Sequence, residues 1–259
     1  MPYLSQIAIY PIKSLGPMFV NQARIVEKGA LEHDREFALF DEEGKYVNAK
    51  RTGRFSYHSS AIDWKDGTVT LRNRENNDTV TFHLHQERSE LEKWLSAFFQ
   101  LSVTLKQDSS GGYPDDKKAT GPTVIGASTL EEVAAWYPGS TPHEMWTRFR
   151  ANLEVSDAPA FWEDRLYREA DAYVPFRIGN VILHGTNPCQ RCVVPTRDME
   201  TGEPWTAFSQ IFRTKREELL PDWAEKSRFT HYYRLAVNTQ APDTEIGKII
   251  RVGDLIELI

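Results

Sequence analysis

Cysteine is nearly absent. Cys189 and Cys192 are the only two thiols in 259 residues, so there is no disulfide framework, and reduced thiols in the cytoplasm are the expectation. No apolar run approaches the roughly 18–20 residues that span a bilayer. The start, Met1-Pro2-Tyr3-Leu4-Ser5-Gln6, lacks the charged segment and long apolar core of a secretory signal. Positive charge is not in excess. The formal net charge of -6 argues against non-specific nucleic-acid binding as the main task, and leaves room for a local basic pocket. There is no Walker-type phosphate loop, no convincing internal repeat, and no HxxxH pair near the cysteines among the seven histidines.

What is present suits one large or two small domains. Hydrophobic residues make up 40% and charged residues 26%, a composition that can bury a sizeable core without staples. The first hundred residues read mostly as strands. Ser5–Tyr10 alternates polar and apolar residues before Pro11. Glu36–Phe40, a turn at Asp41–Gly44 and Lys45–Asn48 read as a hairpin, followed by turns at Lys65-Asp66-Gly67 and Asn76-Asn77-Asp78. Ser89–Glu92 and Ser128–Glu131 match the capping-box pattern and predict helices to about Phe99 and Tyr137. Residues 108–118 are polar and breaker-rich, the best candidate for a linker or mobile loop. Later strands are expected at Ala151–Val155, Arg177–Leu183 and Lys248–Leu258. The chain reads as mainly β, of the α+β kind, with a boundary near residues 108–122.

The two cysteines stand in Asn187-Pro188-Cys189-Gln190-Arg191-Cys192, with Pro195 and Thr196-Arg197-Asp198 after them. Cationic neighbours favour thiolate, the form that ligates metal or attacks an electrophile. A lone CxxC is open to zinc binding, disulfide exchange or two buried structural cysteines. A second cluster is Arg148-Phe149-Arg150-Ala151-Asn152. If it is extended, Arg148, Arg150 and Asn152 point the same way and suit a phosphate or carboxylate. The plainer alternative is a solvated edge pairing with Glu154 or Asp157. Lys13-Ser14 follows the first strand, and His33-Asp34-Arg35 and Asn48-Ala49-Lys50-Arg51 add basic residues near others.

Taken in order, Tyr10-Pro11-Ile12-Lys13-Ser14, Asp34–Leu39, Arg148–Leu153, Phe176–Gly179 and Pro188–Cys192 with Thr196–Asp198 and Thr201-Gly202 resemble the MOSC family. The likeness is to its two-part members, which include amidoxime-reducing components. It implies an N-terminal β-barrel-like domain over 1–110 and a MOSC β-barrel with peripheral helices over 111–259. It further implies molybdenum cofactor in the cleft between them, with Cys192 ligating molybdenum as a soft thiolate.

By the same resemblance Lys13, Arg35, Ser128, Thr129, Arg148, Arg150 and Asn152 hold the cofactor, with Ser128 and Thr129 at a helix start suited to anions. Asp198 is a candidate proton donor beside the metal, its plainer role being to pair with Arg191 or Arg197. Relatives often carry arginine where Lys50 stands, so Lys50, Arg51 and Arg54 are left unassigned. The implied activity is reduction of small N-hydroxylated substrates. No iron–sulfur cluster can form within a two-cysteine chain, so a separate ferredoxin-like or b-type cytochrome partner must donate the electrons. A cofactor carrier or sulfur-handling protein is the alternative.

Overall fold

The computed structural model describes residues 1–74, 76–198 and 201–259. Alternation sets the first strand. In β1 (Tyr3–Ile9), Leu4, Ile7 and Ile9 face one core and Ala8 faces another. In chain order there follow β2 (Met18–Val20), β3 (Gln22–Arg24), β4 (Phe37–Phe40), β5 (Tyr46–Val47), β6 (His58–Asp63), β7 (Thr68–Asn73), β8 (Thr79–His83), α1 (Arg88–Phe99) and β9 (Thr104–Gln107). The second half carries β10 (Val124–Gly126), α2 (Ala127–Ala135), α3 (Pro142–Phe149), β11 (Leu153–Ser156), β12 (Val174–Ile178), β13 (Val181–Gln190), α4 (Phe208–Glu218), β14 (Arg234–Gln240), β15 (Ile249–Arg251) and β16 (Ile256–Leu258). The chain is mainly β, as expected. Among the described residues no helix is long and apolar enough to cross a membrane.

The main sheet has eight strands in the order β16-β12-β13-β14-β10-β11-β1-β2. It curls on itself. Leu4 donates its N–H to the Asp254 carbonyl at 2.8 Å and Ile256 donates to Pro2 at 2.9 Å, so the chain entering β16 meets the start of β1. Closure of this kind removes exposed edges. The strands of the first 24 residues thus lie with those beyond residue 123: β1 pairs with β11, β2 with β1, and β3 with β15. Between these strands and residue 108, β5-β4-β9 and β6-β7-β8 form two small sheets with α1 packed on them.

Three cores follow. One fills the curled sheet, one lies between that sheet and α2, α3 and α4, and one sits under α1. Both predicted capping boxes are corrected. α1 starts after Glu87 and α2 after Gly126, neither with a side-chain cap. Glu92 instead accepts the N–H of Leu105, and Thr129 is drawn into the core.

That core holds an ionic cluster. Arg216 pairs with Asp164 at 2.5 Å, and the guanidinium lies 4.3 Å from the Phe161 ring centroid. Glu163, also buried, accepts the Thr129 hydroxyl at 2.8 Å with Oε2, while Oε1 has no partner. Burial, helped by the charge of Asp164, pushes the Glu163 carboxyl up to about 7. Folding therefore favours its neutral form, and stability falls as pH rises from the unfolded value of about 4.5 to about 7. Glu163→Gln should stabilise the protein at pH 8 by on the order of 2 kcal/mol, with the gain vanishing toward pH 5. Urea unfolding at the two pH values measures it, and an equal effect at both would refute the assignment.

Candidate functional site

Three stretches far apart in sequence line one cavity of about 420 Å³. Lys13 and Ser14 follow β1, Arg35 precedes β4, and Lys50 follows β5. Opposite them stand Arg150 after α3, Arg191 and Cys192 after β13, and Arg234 and Asn238 on β14. Residues 111–121 supply the third wall. Eight lining residues are basic: Lys13, Arg35, Lys50, Lys117, Arg148, Arg150, Arg191 and Arg234. Three are acidic: Asp34, Asp115 and Asp116. A cavity with this excess of positive charge, in a chain of net charge -6, is built for an anion.

Tyr10 is its platform. The ring lies 4.2 Å from the Arg150 guanidinium and 5.2 Å from that of Arg35, measured to the centroid. Its hydroxyl donates to the Ala151 carbonyl at 3.1 Å and its N–H to Asp34 at 2.8 Å. Arg35 pairs with the other oxygen of Asp34. Burial works against the Arg35 charge, and Asp34 and Asp115 more than restore it. Lys13 is buried; its ammonium donates to the Tyr113 carbonyl at 2.8 Å and to Asp115 at 2.9 Å. Burial lowers the Lys13 pKa despite Asp115. Loss of water around its oxygens inside the cavity works against the Asp115 charge, but Lys13, Arg35 and Lys50 hold it far below the usual carboxylate range, although the side chain as a whole is exposed. Arg191 and Arg234 also line the cavity; Arg191 donates to the Phe149 carbonyl at 2.6 Å and Arg234 to the Pro188 carbonyl at 3.3 Å, so both guanidinium groups are held in place at its wall.

The cysteines are not equivalent. The β13–β14 register shifts between Gly185 and Asn187 and again between Pro188 and Gln190. Such bulges re-aim side chains. Glycine is required at 185 for a different reason: a Cβ there would lie 1.8 Å from the Leu166 carbonyl oxygen. Cys189 is buried and donates to Asn238 at 2.7 Å. Burial pushes its thiol up to about 11, against the pull of Arg191, so at neutral pH it is protonated, although cationic neighbours alone would favour thiolate. Cys192 lies beyond the strand end, partly exposed on the cavity wall, and its sulfur accepts the Val194 N–H at 3.4 Å.

Lys13, Arg35, Arg148, Arg150, Asn152 and Cys192 all line the cavity; Ser128, Thr129 and Asp198 do not. Thr129 points into the core cluster, donating to Glu163 and accepting the Phe161 N–H at 2.6 Å, and Ser128 sits beside it on α2. Asp198 accepts the Thr201 N–H and hydroxyl within a turn.

The extended reading of residues 148–152 is also corrected. Arg148 ends α3, and Arg150 is its left-handed cap, so the alternation of a strand does not apply. Arg148 is consumed by structure. It pairs with Glu144 at 2.8 Å and donates to the carbonyls of Pro195 at 2.9 Å and Arg197 at 2.5 Å, bracing the turn after Cys192. The amide of Asn152 joins Thr123 to Ala8. The charged stretch 108–118, expected as a linker or mobile loop, instead forms a wall. Tyr113 donates its N–H to Arg35, and a Cβ on Gly112, whose φ is +66°, would meet the Asp34 carbonyl at 2.5 Å. Asp115, Asp116, Arg234 and Asn238 were not singled out from sequence. The Asp115-Asp116-Lys117-Lys118 charge run was the available signal for the first two; nothing local marks Asn238.

The MOSC N-terminal beta barrel domain matches residues 1–112, and the MOSC domain matches residues 123–257. Molybdenum cofactor sulfurase 2 of Culex quinquefasciatus is 23% identical over 83% of this chain and 33% of its own length. Molybdenum cofactor sulfurase 3 of Aedes aegypti is 24% identical over the same shares. Mitochondrial amidoxime-reducing component 1 of Mus musculus is 23% identical over 99% of this chain and 82% of its own. The chain thus spans about a third of the length of these sulfurases.

The cations of this cavity should separate under mutation. Arg148→Met should cost about 3 kcal/mol, because it strips two carbonyls and a glutamate of a buried partner. Lys13→Met, which removes a buried ammonium, frees the Tyr113 carbonyl and leaves Asp115 to Lys50, should stay within about 1.5 kcal/mol of wild type while weakening inorganic pyrophosphate binding. Urea unfolding and calorimetry check the pair; equal stability losses would contradict the division.

Proposed function

The chain belongs to the MOSC family in its two-part form, and from that premise we propose that the cavity binds molybdenum cofactor and that the protein reduces small N-hydroxylated substrates, such as amidoximes or hydroxylamines. The observation that carries this reading is one partly exposed thiol, Cys192, on the wall of a cavity lined by eight basic side chains.

The donor set fits such a group. Among the described residues no cluster of three or more His, Cys, Asp or Glu side chains could cage a metal ion. A single sulfur beside cations suits a metal that arrives with most of its ligands, and a soft thiolate suits molybdenum held by dithiolene sulfurs. The positive charges of Arg191 and Arg234 on the cavity wall suit the oxygens of an anionic pterin and its phosphate.

When bound, the cofactor supplies the two-electron redox chemistry. The chain supplies position and charge. Lys13, Arg35 and Lys50 neutralise the anion from one side and Arg150, Arg191 and Arg234 from the other. Tyr10 keeps the Arg35 and Arg150 planes in place. Arg148 braces the turn that presents Cys192, and Cys189 fixes Asn238 on the neighbouring strand. Electrons come from a separate donor protein of the ferredoxin or b-type cytochrome kind, since two cysteines cannot hold a cluster. A carrier or sulfur-handling role is the second reading, favoured by the likeness to the two sulfurases.

Protein made in a cofactor-competent host should carry near-stoichiometric molybdenum by elemental analysis. Cys192→Ala should lower it by about tenfold or more, whereas Cys189→Ala should retain it. Wild type free of molybdenum would end the first reading. With metal bound, turnover of benzamidoxime by an artificial electron donor supports reduction. Absence of turnover across several N-hydroxylated compounds favours the carrier.

A further inference from the structure

The three carboxylates of the cavity differ in how they are held. Asp34 is buried, and both its oxygens are used, by the Tyr10 N–H and by Arg35. It belongs to the frame. Asp116 accepts the Asn238 amide at 3.3 Å, on the opposite wall. Asp115 lies on the cations: its Oδ1 is 2.9 Å from the Lys13 ammonium and 3.6 Å from that of Lys50, and it feels the charge of Arg35. Its side chain is 58% exposed, whereas that of Lys13 is 6% exposed. The cation is therefore the fixed member of the pair and the anion the one able to leave.

The backbone permits this. Tyr113 is anchored to Arg35, and the tight approach of Gly112 to the Asp34 and Arg35 carbonyls pins the loop at that point. Among the described residues no backbone–backbone hydrogen bond holds residues 114–120; Asn238 donates to Asp116, Gln240 to the Lys118 carbonyl, and Thr120 to the Lys28 carbonyl. Asp115 lies between these ties and the fixed point at Gly112–Tyr113, and its own side chain is held, among the described residues, only by Lys13 and Lys50, so the carboxylate can turn away without unfastening the loop.

We propose that Asp115 is a built-in stand-in for the ligand's anionic group: its carboxylate fills the seat at Lys13 and Lys50, and binding exchanges it for a phosphate oxygen. The inference rests on the reading of the cavity as an anion site and adds a selectivity device to it. A buried ammonium needs an opposite charge nearby, and Asp115 provides one until a ligand arrives. A monoanion that replaces it one for one gains little. A ligand with two or more negative charges, reaching Lys13, Lys50 and Arg35 together, outcompetes it. The device therefore selects phosphate-bearing ligands over carboxylates and chloride.

The test is inorganic pyrophosphate binding to the full chain, purified without cofactor, by calorimetry at about 0.15 M salt, where charges not in contact with the ion are largely screened. Asp115→Asn keeps the side chain's shape and removes its charge; it should bind the ion about tenfold more tightly than wild type. Asp116→Asn removes the same charge one residue away and should change affinity by less than about twofold. Adding Lys13→Met to Asp115→Asn should abolish the gain. Asp115→Ser repeats the comparison if the asparagine variant folds poorly.

An equal gain from Asp116→Asn would reduce the effect to overall charge and overturn the proposal. Equal affinity of wild type and Asp115→Asn, with Lys13→Met weakening both, would also overturn it while leaving the anion site standing. If Lys13→Met has no effect in either background, the cavity reading and the inference fall together.

Discussion

Like charges crowded into a partly buried space repel one another, by on the order of 4 kcal/mol for two unit charges 4 Å apart near a protein surface. The whole site is arranged around that cost. Two kinds of partner offset it. Asp34 and Asp115 answer Arg35 and Lys13 directly. Aromatic faces take guanidinium planes, with Arg35 and Arg150 on Tyr10 and Arg191 on Phe149. The compensation is incomplete, since burial lowers the pKa of both Lys13 and Arg150 despite their partners. What remains is a standing positive field in a walled space, and such a field is worth most to a ligand that brings several negative charges at once.

Three of the eleven described non-glycine residues with positive φ line the cavity. Ser14, Arg35 and Arg150 all have positive φ, at 77°, 53° and 52°, in a region where glycine would sit at no steric penalty. Arg150 occupies a helix C-cap of the kind glycine usually takes. The fold holds cations where the backbone would accept glycine, because it is the side chain that the site requires. Curling of the eight-stranded sheet makes the arrangement stable. β1 delivers Tyr10 and Lys13 from within the same hydrogen-bonded surface that delivers Cys192 from β13, so the two walls are set by one scaffold.

Much of this was legible in the sequence, and the rest was hidden for identifiable reasons. The β4–β5 and β6–β7–β8 turns follow from Gly and Asx residues between alternating runs, and local chemistry decides such turns. Helices α1 and α2 follow from apolar periodicity, but their starts do not obey the capping-box pattern. Glu92 reaches β9, and Thr129 is claimed by the Glu163 cluster; both are long-range competitors that no local motif reveals. The basic residues at 13, 35 and 150 stood out by type, whereas Arg148 looked equivalent to Arg150. Only the helix at 142–149 shows that Arg148 is held by Glu144 and two carbonyls, whereas Arg150 is held by the Leu15 carbonyl and the Tyr10 ring with no carboxylate partner among the described residues. Asp115 lay in a stretch that read as linker, because breaker residues mark irregular backbone without saying what it packs against.

The same logic settles what the cysteine pair can do. Thiol–disulfide exchange and a zinc cage each need both sulfurs. The end of β13 at Gln190 gives them separate environments. Cys189 is buried against Asn238 with its proton retained, and Cys192 stands past the strand end on the cavity wall. The observed geometry presents one sulfur to the cavity and uses the other to fix β14, which in turn carries Arg234 and Asn238. A site so built offers a single sulfur and several fixed cations to the cavity, and that combination is what the proposed reading of a metal-bearing polyanion asks of it.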